Sequence, residues 1–496
     1  MYDILIRNGL ILNGTGSPAF RAEIAVKDGK IAKIARSIPG EAKTVIDAAG
    51  KVVTPGFIDS HSHADSNIKE HPEQIEKVEQ GITTSVAGQC GGSVCGANAA
   101  EFLDAYRGSQ LGANMALLIG HGTLRRAVIG TADREPTPEE LEKMKAMTRS
   151  AMEHGALGVS FGFIYAPGCF AKTEEAIEIA KVVGQYHGIA AIHLRSESDR
   201  LVAAVREFID IVRASGVRGV ISHHKVTGRE ENWGKVHTTL QMLDRANAEG
   251  LELYADVYPY TASSTGFSAA FIPTSWRDGG KEALLKRTKD PALVAQIKEA
   301  YYQKYPDMGW IMAARCPGYE EYNGMMVPEI AEKLGMDEFD AAMEIVRLTG
   351  DRALGCFFSM CEEDVETVMA HPRVMICTDS GVMTRPGYHP RMRGSFPRTL
   401  GRYVRERKVT SLPEMIRKMT AMPATVYGFK NKGLLWEGFD ADICIFDPDT
   451  IIDRADFVDP SQRAEGLDYV IVGGKIAAVN AVATGELGGT MLYREV

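Results

Sequence analysis

Hydrophobic and polar residues follow two different rhythms along the chain, and the change of rhythm marks its parts. Over the first 54 residues apolar positions fall in short β-type runs, 3–12, 23–26 and 31–35, joined by tight turns. Lys27-Asp28-Gly29-Lys30 separates two of these runs, and Asp-Gly in that place predicts a hairpin, because both residues tolerate positive φ. The tail repeats the texture, with runs at 441–446 and 469–472 and a turn at Gly473-Gly474 leading into 475–479. The two ends are therefore expected to pair into one small β-sandwich, formed by residues 1–54 plus 430–496.

Between the ends, short apolar runs recur at 56–59, 83–87, 115–120, 157–161, 189–192, 219–222, 253–257 and 374–377. The first seven lie about 30 residues apart, with helix-like stretches at 137–153, 173–186 and 198–214 among them, which is the spacing of βα units. Eight such units close into a (β/α)8 TIM barrel, so an α/β catalytic barrel is expected over residues 55–429. About 120 residues separate the seventh run from the eighth, too many for a structureless loop. That gap holds helix-like 282–305 and 327–348, and part of it, 266–316, is expected to be an inserted lid or subdomain.

Composition narrows the function classes. Of 496 residues 45% are apolar and 24% charged, an ordinary globular balance. Fifty-six basic against 65 acidic residues leave a net charge of -9, which offers no positive field for a polyphosphate backbone, so no nucleic-acid partner is expected. The opening MYDILIRNGLILNGTG lacks a charged segment followed by an apolar core, and no stretch reaches about 18 uncharged apolar residues. No membrane association is expected, and a cytoplasmic protein is. The eight cysteines lack the dense, regular spacing of a disulfide framework, so a chemically important cysteine here reads as a metal ligand or nucleophile. Oligomeric state leaves no mark in the sequence.

The polar residues that could carry chemistry stand at the ends of the eight runs, where a barrel of this type builds its active site. His61 and His63 end the first run two residues apart, so on an extended segment both imidazoles face the same way and could share an ion; alone, such a pair also suits a plain surface. Cys90, in Gly88-Gln89-Cys90-Gly91-Gly92, ends the second run. A thiolate there is a strong zinc ligand, although a glycine-flanked cysteine alone is more often a buried small hydrophobe. His193 and His223 end the fifth and sixth runs; one such histidine is usually a core residue, but two at successive strand ends are harder to dismiss. Asp379 ends the eighth, placed either to take a proton from an activated water or to cap a helix.

Six such residues on five strand ends, in this order, make the chain resemble the amidohydrolase superfamily, and within it the N-acyl-D-amino-acid deacylases. The resemblance runs through PGFIDSHSHAD, GQCGG, FGFIYAPG, IHLRSE, ISHHKVTG, DVYPYTASST, CTDSG and HPRMRGSFPR to KGLLWEGFDADICIFDP. It implies zinc-dependent hydrolysis of N-acyl-D-amino acids, with one zinc held tightly by Cys90, His193 and His223. His61 and His63 would frame a second, weaker divalent site beside the same thiolate. Asp379 would be the general acid/base and Tyr165 would hydrogen-bond near the scissile carbonyl. Lys225, Tyr258, Ser264 and Arg391 resemble groups that hold the substrate carboxylate, and His223 rather than His224 matches the ligand. Cyclic-amide hydrolases of the superfamily bridge two metals with a lysine on the fourth strand, and residues 156–162 contain none. A cyclic-amide hydrolase or deaminase on the same scaffold, and more remotely a non-catalytic scaffold protein, are the alternatives. Arg277, within 266–316, could meet an acidic side chain or be merely solvated.

Overall fold

The computed structural model describes residues 1–94, 98–382 and 388–494. At its centre stand eight strands: β1 (Phe57–Asp59), β2 (Ile82–Ala87), β3 (Asn114–Gly120), β4 (Gly158–Gly162), β5 (Ile189–His193), β6 (Arg218–Ile221), β7 (Leu253–Val257) and β8 (Val374–Ile376). Each pairs in parallel with its successor. Every expected run became a strand because Val, Ile, Leu and Ala at these positions are buried on both faces, as a barrel wall requires. Between β8 and β1 the wall closes, among the described residues, by the bridge Ser62 to Ser380, with the Asp379 amide bonded to the His61 carbonyl at 2.9 Å and the His63 amide to the Ser380 carbonyl at 3.0 Å.

Helices alternate with the strands. α1 (Pro138–Glu153) starts where the sequence expects it: Thr137 and Glu140 form a reciprocal capping box and Pro138 takes the first turn, where its missing N–H costs nothing. α2 (Thr173–Gly184), α3 (Leu201–Ser215) and α4 (Lys235–Ala248) follow; α3 buries Leu201, Val205, Phe208 and Val212 at helical spacing and stops at Gly216, whose φ is 70°.

The segment between β7 and β8 is a subdomain with its own core, built around Phe267, Trp276, Ile311, Phe339 and Phe357. Its antiparallel sheet joins Ser263–Gly266, Leu354–Phe357, Ile311–Arg315 and Met325–Met326. Two of these four strands lie beyond the 266–316 span and a third only touches it. The helix-like run 282–305 is two helices, α5 (Gly280–Arg287) and α6 (Pro291–Lys304), because Asp290 caps the second and Pro291 cannot continue the first. Likewise 327–348 divides into α7 (Val327–Leu334) and α8 (Glu338–Thr349), parted by Gly335 at φ 63° and the cap Asp337.

The two termini build the remaining β domain. Tyr2–Ile11 pairs with Phe20–Lys27, with Ala42–Asp47 and with Val52–Pro55; Ile443–Phe446 then adds antiparallel to Val52–Pro55 and carries Leu467–Val472, Lys475–Val479 and Val482–Ala483. Ile6, Ile24 and Val53 from one end meet Ile443, Ile445 and Ile471 from the other in one apolar core. The hairpin turn has Asp28 and Gly29 both at positive φ, 50° and 74°. Among the described residues no helix is long and apolar enough to cross a membrane.

Candidate active site

The candidate residues converge on the C-terminal end of the barrel. Cys90 follows β2 in a loop that only glycine permits: a Cβ on Gly88 would stand 2.0 Å from the Leu118 carbonyl oxygen, and one on Gly91 2.6 Å from the Gly162 amide, both at positive φ. Ser160 of β4 fastens this loop, its hydroxyl donating to the Gly88 carbonyl and accepting from the Gly91 amide at 3.1 Å. The loop aims the Cys90 sulfur at three imidazoles, 3.3 Å from His61 Nε2, 3.6 Å from His193 Nδ1 and 3.3 Å from His223 Nε2. Cys90, His223 and Asp379 all have left-handed backbones, at φ 54°, 36° and 50°. Non-glycine residues keep that conformation at a cost on the order of 1 kcal/mol each, held by their surroundings, and they cluster at functional sites.

Two donor sets share the Cys90 sulfur. Cys90, His193 and His223 make one; His61, His63, Cys90 and Asp379 make the other, and within each set the ligand atoms lie within 4.8 Å of one another. Around a tetrahedral zinc such donors stand about 3.5 Å apart, so the first set fits the ion. The electrostatics of both sets fit neutral ligands. Burial lowers the His193 imidazole of the first set to about 3 and holds His61, of the second, well below the usual imidazole range, so both rings are neutral, as ligation requires. Burial, reinforced by Asp379, pushes the Cys90 thiol well up, so a thiolate here calls for a cation among these donors. The other described cysteines are also free; Cys95 lies outside the described residues.

Asp379 faces the second set. Its Oδ1 is 3.2 Å from His63 Nε2 and 3.5 Å from His61 Nε2, while Oδ2 accepts from Arg391 at 2.7 Å. Burial works against its charge, but Arg391 and the neighbouring histidines outweigh it and hold the carboxyl well below the usual range. Arg391 also donates to the Ser264 carbonyl at 3.0 Å and lies 5.3 Å from the centre of the Tyr258 ring. Tyr165, after β4, accepts from the Thr265 hydroxyl at 3.1 Å, and burial keeps its own proton in place, free to donate.

Lys225 differs from the other expected carboxylate holders. Its ammonium is committed to Glu197 Oε1 at 2.6 Å, to His223 Nδ1 at 2.9 Å and to the His223 carbonyl at 3.0 Å. Arg277 stands away from the metal donors, paired with Asp351 at 3.2 Å and with the Ser268 hydroxyl, in a chamber that meets the site at Tyr165 and Thr265. His224 turns the other way, to Thr239 of α4 at 2.8 Å.

Two residues central to this geometry escaped the sequence reading. Glu197, four residues past His193, lies 3.1 Å from His223 Nδ1 and 3.7 Å from His193 Nε2, so it orients both imidazoles; burial opposes its charge, yet Lys225 and His193 hold it ionised. Asp256, at the end of β7, accepts from the His223 amide and stands 3.8 Å from His61 Nδ1, and burial raises its carboxyl to about 7. Position was the available signal, since both are carboxylates at or just past strand ends.

Comparison with known proteins gives a consistent result. The model of the amidohydrolase family matches residues 44–478. The D-aminoacylase of Alcaligenes xylosoxydans xylosoxydans is 33% identical, with 99% of this chain and 98% of that protein covered. The N-acyl-D-aspartate deacylase of the same organism is 34% identical, over 95% of this chain and 91% of that one. Among solved structures, the N-acyl-D-glutamate deacylase of Bordetella bronchiseptica, complexed with zinc and a phosphonate mimic of the tetrahedral intermediate, matches with a TM-score of 0.85, 34% identity and 99% of each chain.

Proposed function

Since the chain belongs to the amidohydrolase family, we propose that it is a metal-dependent N-acyl-D-amino-acid deacylase, which cleaves the amide to a carboxylate and a free D-amino acid. The observation that carries this reading is the convergence of Cys90, His193 and His223 on one point, with Asp379 across from them. A zinc ion would be held by Cys90, His193 and His223, and when bound it would supply Lewis acidity towards the acyl carbonyl and lower the pKa of water. His61, His63 and Asp379 could hold a second ion around the same sulfur. An ion there would engage Asp379 Oδ1, the atom needed as base, so one ion per chain is the productive load. No lysine stands on β4, where a cyclic-amide hydrolase would carry its bridge; Ser160 there serves the Cys90 loop.

The chain's own groups divide the remaining work. Asp379, ionised beside Arg391, takes the proton of the attacking water on Oδ1 and returns it to the nitrogen, which must leave as an amine because an amide anion is too basic. The Tyr165 hydroxyl donates to the oxygen on which charge develops. Arg391, with its planar fork of donors beside Tyr258 and Ser264, is the principal grip on the substrate carboxylate, whereas Lys225, already paired, mainly holds Glu197 and His223. With the carboxylate and the acyl carbonyl both fixed, only one arrangement of hydrogen and side chain fits, and the enzyme reads handedness. Steady-state kinetics on N-acetyl-D- and L-amino acids, on the matching D-amides without a carboxylate, and on hydantoins test this. Turnover confined to the D-acids is expected; equal turnover of the L-acids, the neutral amides or the hydantoins would sink the reading.

A further inference from the structure

The catalytic cavity has an aromatic exit that the chemistry above leaves unused. From His193, Tyr258 and Asp379 the cavity passes Lys225 and reaches Tyr305 and Trp310 of the inserted subdomain. There it runs into a groove of about 370 Å³, and Gly228, Tyr305, Trp310 and Ser359 line both spaces. Beyond that junction the groove is walled by Trp233, from the loop after β6, and Phe358, from the subdomain.

These aromatics form a connected surface. Ring centres of Tyr305 and Trp310 are 5.4 Å apart and those of Trp310 and Phe357 6.0 Å, and the Trp233 indole N–H donates to the Ser359 carbonyl at 3.4 Å. Trp233 and Phe358 nevertheless stay 37% and 39% exposed. Large aromatics left open at the mouth of a catalytic cavity mark a place where apolar ligand surface is buried. The charged groups on the rim are of both signs, Glu230 and Glu231 beside Arg229 and Lys304, which stand 5.6 Å and 5.4 Å from the centre of the Tyr305 ring, so the rim gives an acidic ligand arm no net attraction.

We propose that this groove is the acyl subsite, and that the preferred substrates carry an aromatic or medium-length apolar acyl group rather than acetyl. The inference rests on the deacylase reading above. A deacylase substrate has three arms. The carboxylate goes to Arg391, which leaves the amino-acid side chain and the acyl group to share the chamber beside Tyr165 and the aromatic groove. Side chains are bounded in size, whereas acyl chains are not, and a groove that continues onto the surface suits the unbounded arm. Trp233 and Phe358 are then specificity residues, remote from the reacting bond.

The test is kcat/KM for one D-amino acid bearing acetyl, octanoyl or phenylacetyl groups, with the parent, Trp233→Ala/Phe358→Ala and Trp233→Phe. The parent is expected to favour octanoyl or phenylacetyl over acetyl by tenfold or more. The double variant should lose most of that factor while turning over the N-acetyl substrate as the parent does, which also shows that it has folded, and Trp233→Phe should restore it. As a second measurement on the parent alone, free phenylacetate should inhibit N-acetyl turnover far more strongly than free acetate. Indifference of the parent to the acyl group, equal inhibition by the two acids, or a variant whose defect follows the amino-acid side chain would overturn the assignment while leaving the deacylase reading intact. Absence of N-acetyl-D-amino-acid turnover in the parent would instead remove the reading beneath it.

Discussion

Single side chains at the metal donors carry opposite demands, and substitutions can separate them. Cys90 belongs to both donor sets, so Cys90→Ala should lose the bound metal and turnover together, as metal analysis of the purified variant beside its kcat would show. Asp379→Asn should keep zinc in the first set yet lose at least about 10²- to 10⁴-fold in kcat, because the proton acceptor is gone while the three ligands remain. A variant at Asp379 with parental kcat would make that residue a structural cap. The grouping of these residues was legible to different depths. Cys90, His193 and His223, which the fold brings together, could be picked out because each ends an apolar run and carries a donor atom. Glu197 could not, because a glutamate in a loop looks solvated until the fold places Lys225 and two imidazoles around it. The ionic commitment of Lys225 was invisible for the same reason.

Among the elements, the seam between β1 and β8 deserves its own test, since both strand ends it joins carry site residues. Lys77, fully buried, reaches across it, donating to Asp59 Oδ2 at 2.9 Å, the Thr378 hydroxyl at 2.9 Å and the Ser380 carbonyl at 2.8 Å. Thr378 in turn donates to Asp59 through its amide at 2.8 Å and its hydroxyl at 2.6 Å. Lys77→Met would leave the Asp59 carboxylate buried without its cation, so it should destabilise the protein by about 3–5 kcal/mol in urea unfolding, with part recovered on adding Asp59→Asn. A change below about 1 kcal/mol would mean that the seam relies on its backbone bonds. Strand positions were readable from apolar runs because burial on both faces writes a continuous signal. The breaks at Asp290-Pro291 and Gly335 were also in the letters, but a helical period carried across them concealed two separate caps. Ala42–Asp47 and Val52–Pro55 went unread, since Ala42–Asp47 has four exposed positions and Val52–Pro55 is too short to show a period.

At the scale of the molecule, one buried amine makes stability depend on pH. Lys418, on α9 (Leu412–Met419), is fully buried, donates to the His371 carbonyl at 2.6 Å and to that of Met369, and is brought down to about 7 by burial. Its folded-state value lies below the unfolded one of about 10.4, so between these limits the unfolded chain holds the extra proton and stability rises with pH. The urea midpoint of the parent minus that of Lys418→Met should therefore increase from pH 7 to about pH 10 and be flat below pH 7; a difference flat throughout would show that Lys418 stays charged in the fold. What the sequence by itself determined is the eight barrel strands, the barrel they close and the candidate donor atoms at their ends, because periodicity and residue chemistry are local and survive in one dimension. Tertiary structure alone decided which charges are already spent: Lys225 on Glu197 and Arg277 on Asp351. It also decided that strands from both sides of the inserted helices close one subdomain over the site, and that Trp233 and Trp310, with 76 positions between them, line one groove. Such pairings depend on which distant segments the core brings together, and no local pattern records them.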